Sequence, residues 1–235
     1  MTKIHFILNG KGGIGKSFIS SLLCQYFLHN KESILAIDTD PNNTTLCNIK
    51  ALDASFLKLI DDDGKFNVRE FDKIIELAYS KEKKNYIIDS GATTFIPLID
   101  YLKENEIISM LKNEKIEIYF HVPIVGGQAQ DDTILGLVQL ANNFNCNFIV
   151  WCNEYHGSLR DFENTQEYNA IKEKINALIY LKQFSKDTYG KDLLELTSKN
   201  LTFDESLKDK SFSLMSKQRL KIFRDKVFEQ IKIIL

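Results

Sequence analysis

A glycine-rich segment near the start of the chain constrains its fold more than any other feature. Residues 10–17 read G-K-G-G-I-G-K-S, which fits the phosphate-binding pattern G-x-x-x-x-G-K-[ST] at every fixed position. The preceding residues 3–8 are mostly apolar and have the length of a buried strand, whereas residues 18–29 carry apolar side chains at helical spacing. The pattern is specific when it links a strand to a helix. The sequence therefore predicts a phosphate-binding loop, or P-loop.

The residue types in this loop suit a bound nucleotide. Its glycines, at positions 10, 12, 13 and 15, permit backbone conformations that bring successive N–H groups toward one anion. The N-terminus of the following helix adds partial positive charge at the same place. Lys16 would reach the β- and γ-phosphates, and the Ser17 hydroxyl would complete the ligand shell of a Mg²⁺ ion. The alternative interpretation is a glycine-rich turn with two solvated lysines.

Acidic residues follow or end two later apolar runs. Asp38 and Asp40 follow the run at 33–37, and Asp89 ends the run at 85–89. At the carboxyl ends of strands beside a P-loop, carboxylates can hold Mg²⁺ with its waters or position an attacking water. We predict that Asp89 holds a Mg²⁺ water from across the nucleotide. For Asp38 and Asp40 the alternative is a turn followed by a helix cap.

The whole chain alternates short apolar runs with helical patterns. Six runs predict strands, at residues 3–8, 33–37, 85–89, 116–122, 147–152 and 177–181. The pattern predicts an α/β fold with a mostly parallel β-sheet, helices on both faces, and a site at the carboxyl ends of the strands. The chain has 235 residues, 44% of them hydrophobic, with three prolines and no recognisable linker, which favours a single domain over residues 1–235.

Composition narrows the classes of function. The net charge of −2 at pH 7 gives no global reason to expect a nucleic-acid or membrane surface, so any basic patch must be local. The four cysteines form no C-x-x-C pair and no cluster with zinc spacing, so buried thiols are expected. The sequence has no apolar run of ~18 residues and no charged and apolar leader. These features together favour a protein of the reducing cytoplasm.

The last segment, residues 213–234, combines basic residues with apolar residues at helical spacing. Three interpretations stay open for it. It packs on the sheet, it presents a basic face to DNA phosphates, or it lies on a membrane surface. Its basic residues are Lys217, Arg219, Lys221, Arg224, Lys226 and Lys232.

A second lysine inside the loop indicates a narrower class of protein. Lys11 follows the first glycine, although a P-loop does not need it to hold its own phosphates. The pattern K-G-G-x-G-K-[ST] resembles that of the deviant Walker A ATPases, the ParA/MinD superfamily. The resemblance implies that Lys11 reaches across a dimer interface to the nucleotide of a second copy. A solvated loop lysine is the alternative.

The same resemblance implies roles for other site residues. The D-x-D-P pattern at 38–41 resembles the second acidic motif of the superfamily, in which Asp38 would lie near the metal and Asp40 would position the hydrolytic water. Asn153 follows the strand at 147–152, where an asparagine in the superfamily hydrogen-bonds the adenine. No N/T-K-x-D motif for guanine occurs there, which favours ATP.

The candidate site residues fall into three groups. The predicted metal ligands are Ser17, Asp38 and Asp89, and the predicted catalytic residues are Lys11, Lys16 and Asp40. The predicted nucleotide contacts are Lys11, Gly12, Gly13, Ile14, Gly15, Lys16, Ser17, Phe18 and Asn153. Phe18 stands where ParA and MinD proteins usually have a second hydroxyl residue, so a hydroxyl contact to the α-phosphate would be lost.

Several stretches along the chain carry a narrower resemblance. They are G-K-G-G-I-G-K-S-F at 10–18, I-D-T-D-P-N-N at 37–43, I-D-S-G-A at 88–92, G-G-Q-A at 126–129, V-W-C-N at 150–153, T-Y-G-K-D-L at 188–193 and L-T-F-D-E-S-L at 201–207. Together they resemble the TraL-type conjugal-transfer proteins, with StbB-like plasmid-maintenance ATPases nearby. The resemblance implies a slow ATPase switch in plasmid transfer, maintenance or positioning. Its partners would be a second copy, plasmid DNA or a DNA-bound adaptor, the conjugation machinery, or a membrane surface.

Other functions are weighed against this switch. One is a membrane ATPase similar to those of septum placement, which the resemblance to the MinD branch implies. The loss of a hydroxyl at Phe18 motivates a nucleotide-dependent scaffold whose hydrolysis is negligible. A metabolic enzyme on the same fold, such as an ATP-dependent carboxylase of the dethiobiotin synthetase kind, would need a dedicated pocket for an organic substrate, and no motif for one is recognisable. Iron–sulfur carriers on this fold need paired cysteines, which the chain does not offer at a recognisable spacing.

Overall fold

Parallel strands form the central sheet of the computed structural model, which describes residues 1–61, 63–159, 161–183 and 185–235. Within these residues the strands are β1 (Lys3–Ile7), β2 (Ile34–Asp38), β3 (Ser55–Phe56), β4 (Asn85–Asp89), β5 (Glu117–Val125), β6 (Asn147–Asn153) and β7 (Ile175–Leu181). Their order across the sheet is β3-β2-β4-β1-β5-β6-β7, and each neighbouring pair is parallel. The predicted α/β architecture with a mostly parallel sheet is confirmed.

Helices cover both faces of this sheet. The described residues contain α1 (Lys16–His29), α2 (Thr45–Asn48), α3 (Val68–Ser80), α4 (Phe95–Glu104), α5 (Ile107–Asn113), α6 (Gln130–Asn143), α7 (Gln166–Ile171), α8 (Lys191–Ser198), α9 (Phe203–Lys208) and α10 (Leu214–Ile234). Helices α3 to α7 pack with one apolar cluster, whereas α1, α2 and α8 to α10 pack with the other. Because strand side chains alternate between faces, Phe6 lies in the first cluster and Ile7 in the second.

A chain of buried polar rings crosses the middle of the second face. The Trp151 indole N–H donates to His121 Nδ1 at 3.0 Å, so the proton of the neutral imidazole resides on Nε2. That nitrogen lies 3.0 Å from His5 Nδ1. Burial lowers the pKa of both histidines, that of His5 to about 3 with a smaller contribution from nearby Lys3. Both rings are therefore neutral parts of the core near pH 7.

Four local features differ from the sequence-based expectations, and the first is β3, a seventh strand where six were predicted. Strand β5 continues past Pro123 to Val125, although the sequence predicts its end at residue 122. Helix α9 was not predicted, and a capping box formed by Thr202 and Glu205 begins it. The sequence also predicts a polar helix over 163–174, whereas α7 covers only Gln166–Ile171 and a 3₁₀ turn follows it at Lys172–Lys174. By contrast, the sequence predicts a kink or break in the helical segment near Glu104, and α4 ends at that residue before α5 begins at Ile107.

Candidate nucleotide-binding site

The glycine-rich loop connects the carboxyl end of β1 to the N-terminus of α1. Strand β1 lies between β4 and β5, so the loop emerges near the middle of the sheet. Gly13 and Gly15 have φ of +72° and +93°, which residues with a Cβ rarely adopt. Helix α1 begins at Lys16 and contains no acidic residue in its first turn. Its free N–H groups and dipole therefore favour an anion at the mouth of the loop.

Lys16 is the buried cation of this loop. Its Nζ donates to the carbonyl oxygen of Lys11 at 2.6 Å, so the amine folds back across the loop. Burial lowers the pKa of Lys16, while the neighbouring carboxylates of Asp89 and Asp40 raise it. A poorly hydrated ammonium group beside a helix N-terminus is well suited to bind phosphate.

Asp89 has a buried carboxylate oxygen that no described residue satisfies. Its Oδ1 accepts from the Ser20 hydroxyl at 2.9 Å, whereas Oδ2 has no hydrogen-bond partner. The pKa of Asp89 is raised to about 7, chiefly by burial and also by the charge of Asp38, while the nearby hydroxyl groups of Ser17 and Ser20 and the charge of Lys16 act in the opposite direction. An unpartnered carboxylate oxygen close to the Ser17 hydroxyl fits a Mg²⁺ ion, which prefers oxygen ligands.

A Mg²⁺ ion could bind here without a full set of ligands from the protein. Within the part of the chain that the structure describes, no group of three or more His, Cys, Asp or Glu side chains could hold a metal ion. Mg²⁺ at a phosphate site needs only one or two carboxylates, because phosphates and waters supply the other ligands. Ser17 and Asp89 match that requirement.

Asp38 is paired in register with Asp89 on the neighbouring strand. Its Oδ1 accepts from the N–H of Asp40 at 3.1 Å, and its Oδ2 accepts from the N–H groups of Leu46 at 3.0 Å and Cys47 at 3.4 Å. Burial raises the pKa of Asp38, and these three backbone bonds oppose the shift. Asp38 thus holds the segment 39–47 against the end of β2, next to Asp89.

Asp40 lies at the turn after β2, packed against the loop after β4. Its Oδ1 accepts from the N–H groups of Asn42 at 2.9 Å and Asn43 at 3.2 Å. A Cβ added at Gly91 would lie 3.2 Å from both Cα and Cγ of Asp40. The two loops therefore approach each other closely, and a glycine at position 91 permits the contact.

Lys11 points away from its own loop. Its Nζ forms an ion pair with Asp132 Oδ2 at 2.7 Å, in the first turn of α6, and the two side chains are 46% and 59% exposed. An exposed pair of this kind contributes about 0–1 kcal/mol. Lys11 is therefore held only weakly within its own chain and is available at the surface.

The segment after β6 contacts the loop from the other side. Asn153 Nδ2 donates to the carbonyl of Ile14 at 3.0 Å, and Asn153 Oδ1 accepts from the N–H of Tyr155 at 3.1 Å. His156 Nε2 lies 3.0 Å from the carbonyl oxygen of Gly13. The predicted contact of Asn153 with adenine stays a prediction. His156 was missed because nothing in its local sequence distinguishes it from a solvated histidine.

Asn9 was also missed by the sequence-based prediction. Its side chain is buried, and its Nδ2 donates to the carbonyls of Pro123 at 3.0 Å and Thr133 at 3.1 Å. Its Oδ1 accepts from the N–H of Lys11 at 3.0 Å. Asn9 therefore ties the first turn of the loop to β5 and α6. An asparagine just before a glycine-rich loop is the only local signal for such a role.

Comparison with known proteins assigns the chain to a family. Residues 5–194 match the family described as the CobQ/CobB/MinD/ParA nucleotide-binding domain. The chain belongs to this family. It is also 40% identical over 238 residues to protein TraL of Escherichia coli, covering 99% of this chain and 98% of that protein. A second protein TraL of Escherichia coli is 39% identical, with 98% of both chains covered. The resemblance to the ParA/MinD superfamily and to TraL is confirmed.

Solved structures of the family share the fold. The MinD cell division protein of Aquifex aeolicus has a TM-score of 0.54 at 16% identity, and the match covers 97% of this chain and 98% of the MinD chain. The MinC:MinD complex from the same organism has a TM-score of 0.52 at 15% identity, and the match covers 97% of this chain and 96% of that one. A plasmid partition protein of Borrelia burgdorferi bound to AMPPNP has a TM-score of 0.50 at 14% identity, and the match covers 100% of both chains. At these identities the likeness concerns the fold.

Phe18 marks a departure of this ParA/MinD-family chain from the usual pattern of the loop. Its ring is partly buried, and its centroid lies 6.1 Å from that of Phe223 on α10. The aromatic side chain thus makes an apolar contact between the start of α1 and the C-terminal helix.

Helix α10 packs against the sheet and α1. It buries apolar side chains that include Leu220, Phe223 and Val227. Half of its basic residues form ion pairs within the chain, namely Arg219 with Asp192, Lys221 with Asp225, and Arg224 with Asp204 and Asp225. Packing is therefore the observed role of this helix. Among the described residues, no helix is both long and apolar enough to span a membrane.

Replacing Asp89 with asparagine is expected to stabilise the chain in the absence of nucleotide and metal. The carboxyl has a folded pKa of about 7, raised from 3.8, so its contribution to stability is present below pH 3.8 and is lost as the pH rises through 7. Asparagine cannot ionise. We expect Asp89→Asn to unfold roughly 5 °C above the wild type at pH 8, with a smaller difference at pH 4. Thermal denaturation in EDTA at both pH values checks this. Asp100→Asn, at an exposed carboxylate on α4, should change neither midpoint, and equal midpoints for Asp89→Asn and wild type at pH 8 would contradict the buried charge.

Proposed function

We propose that this chain is an ATP-driven switch that binds ATP with Mg²⁺, forms a homodimer on ATP, and hydrolyses ATP slowly to release the dimer. One observation carries the proposal. Lys16, Ser17 and the unpartnered oxygen of Asp89 meet at the mouth of a loop that presents a second lysine, Lys11, at the surface. We also take residues 1–235 as one domain, because a single sheet with two covered faces runs through the chain.

Each site residue then has a distinct task. The loop N–H groups and Lys16 bind the β- and γ-phosphates, and Ser17 and Asp89 would hold Mg²⁺ with Asp38 beside them. The ion, when bound, neutralises charge that develops on the phosphates. Asp40 lies at the turn where a carboxylate can position a water toward the γ-phosphate. Because Gly91 lets the loop after β4 contact Asp40 closely, the Asp89 and Asp40 segments can respond together to nucleotide.

Lys11 provides the reason for a dimer. Its side chain turns toward Asp132 instead of its own loop, in an exposed ion pair that is readily exchanged. In a face-to-face dimer the two Lys11 side chains would leave Asp132 and reach the phosphates of the partner's nucleotide. Each site is then complete only when the second copy is present.

The cellular role we propose is plasmid conjugal transfer, maintenance or positioning in the cytoplasm. The supporting observation is the 40% identity to protein TraL over nearly the whole of both chains. Plasmid DNA or a DNA-bound adaptor and the conjugation machinery are the proposed partners. Lys217, Lys226 and Lys232 of α10 form no ion pair with the residues that the structure describes, and they are the candidates for a phosphate or membrane contact within that helix.

Size-exclusion chromatography with light scattering tests the switch. Wild type and Asp40→Ala are compared with ATP and Mg²⁺, with ADP, and without nucleotide, each with and without duplex DNA. We expect a dimer only with ATP, and a longer-lived dimer for Asp40→Ala because its hydrolysis is slowed. Asp100→Ala, at an exposed carboxylate on α4, is the matched control and should behave as wild type. A monomer under every condition would contradict the proposal.

A nucleotide-dependent scaffold with negligible hydrolysis is the second candidate. The contact of Phe18 with Phe223 favours it, because an apolar side chain takes the place of a hydroxyl at the loop. Phosphate release at background level in the presence of DNA, combined with an ATP-dependent dimer, would support the scaffold over the switch.

A further inference from the structure

Two side chains of the segment from Asn153 to His156 contact successive backbone carbonyl groups of the P-loop. Asn153 contacts the carbonyl of Ile14 and His156 contacts that of Gly13, each at 3.0 Å. A carbonyl oxygen only accepts hydrogen bonds, so His156 must carry its proton on Nε2, and both side chains act as donors. These two contacts hold the carbonyls of residues 13 and 14 toward β6. With its carbonyls fixed on that side, the loop is left with its N–H groups free for an anion.

The segment from Asn153 to His156 is itself held in place by close contacts with its neighbours. Asn153 ends β6 and caps the turn that follows through the N–H of Tyr155. A Cβ added at Gly126 would lie 2.2 Å from the carbonyl oxygen of Gly157, so the loop after β5 packs directly on the backbone of this segment. A Cβ at Gly15 would lie 2.9 Å from Asn153 Nδ2. Only glycine leaves room for such close contacts at positions 126 and 15. The contacts therefore fix the distance between the segment and the P-loop.

We propose that Asn153 and His156 form a clamp that keeps the P-loop in its phosphate-binding conformation, and that both are positioning residues. The proposal rests on the proposed function, because it concerns the affinity of the same nucleotide site. It gives Asn153 a role at the loop backbone, which can be measured separately from the predicted contact with adenine. The clamp therefore contributes equally to the binding of any ligand that carries the same phosphates.

Ligands with and without a base separate the clamp from base recognition. Isothermal titration with Mg²⁺ compares AMPPNP, its guanosine counterpart and inorganic tripolyphosphate on wild type, His156→Phe and Asn153→Ala. Each variant should lose about three- to ten-fold in affinity for all three ligands, and by the same factor for each. His156→Gln, whose amide nitrogen can replace Nε2 as the donor, should recover most of the loss. Tyr155→Phe, between the two clamp residues, is the matched control and should bind as wild type.

The alternative outcomes are distinct. A loss confined to AMPPNP in Asn153→Ala, with tripolyphosphate unchanged, would overturn the clamp in favour of an adenine contact. Affinities within two-fold of wild type for His156→Phe, or no recovery in His156→Gln, would overturn the role of His156. Thermal midpoints equal to wild type show that the variants are folded. A wild type that takes up none of the three ligands would overturn the proposed function together with the clamp, whereas normal wild-type binding with unaffected variants overturns the clamp alone.

Discussion

Lys16→Ala is expected to reduce the affinity for ATP by more than about 100-fold, which is the largest effect of any single change in this site. Removal of one partner from a buried charged contact typically costs about 3–5 kcal/mol, and every 1.4 kcal/mol is a factor of ten. Without Lys16, the phosphates would lose a buried ammonium group that lies beside the carboxylates of Asp89 and Asp40. Fluorescence titration with a labelled ATP analogue and Mg²⁺ measures the loss.

Two comparisons make this result specific. Lys50→Ala removes an exposed lysine outside the loop and should leave the affinity unchanged. The unfolding midpoint of Lys16→Ala, measured without nucleotide, shows that the variant is folded at the temperature of the titration. ATP affinity within ten-fold of wild type in Lys16→Ala would show that this loop is not the phosphate site.

Lys11→Ala is expected to keep ATP binding within about three-fold of the wild type while losing the ATP-dependent dimer. Lys11 is exposed and turned toward Asp132, so its removal takes nothing from the phosphates of its own loop. In the dimer the same side chain would contribute a buried charged contact in each of two sites. Light scattering with ATP and Mg²⁺ over a range of protein concentrations measures the shift in the dimer equilibrium, which we expect to exceed 100-fold.

Asp132→Asn separates the two roles of Lys11. It removes the ion pair inside the chain but leaves Lys11 in place, so the variant should dimerise with ATP at least as readily as the wild type. Asp131→Asn makes the same change of charge one residue earlier in the first turn of α6 and controls for the helix terminus. If Lys11→Ala dimerises normally with ATP, the role of Lys11 across the interface is wrong.

The parts of the site that could be predicted from sequence are those encoded by neighbouring residues. The loop at 10–17 lies on eight consecutive positions, and Asp38 and Asp89 each end an apolar strand. Since parallel strands end at the same edge of a sheet, the strand pattern alone indicates that these carboxylates approach the loop. Helix α9 could have been predicted as well, because Thr202 and Glu205 have the spacing of a capping box.

The parts that could not be predicted depend on contacts between distant segments. Asn9 meets Thr133, and His156 meets Gly13, across 124 and 143 residues of chain. No local pattern encodes such pairs, because they arise only when the order of strands across the sheet is known. Pro123 misled the prediction of β5 for a related reason. Proline usually ends a strand, but here the strand continues and the Pro123 carbonyl serves as an acceptor for Asn9.

The buried pair of Trp151 and His121 gives the chain its own spectroscopic probe. Trp151 is the only tryptophan, lies in the apolar core, and stands two residues before Asn153. Its indole N–H bond requires a neutral His121, because a protonated imidazole has no acceptor nitrogen. Intrinsic fluorescence excited at the indole band therefore reports from the strand that supports the nucleotide loop. It also registers the protonation of the neighbouring ring in acid, without any label on the protein.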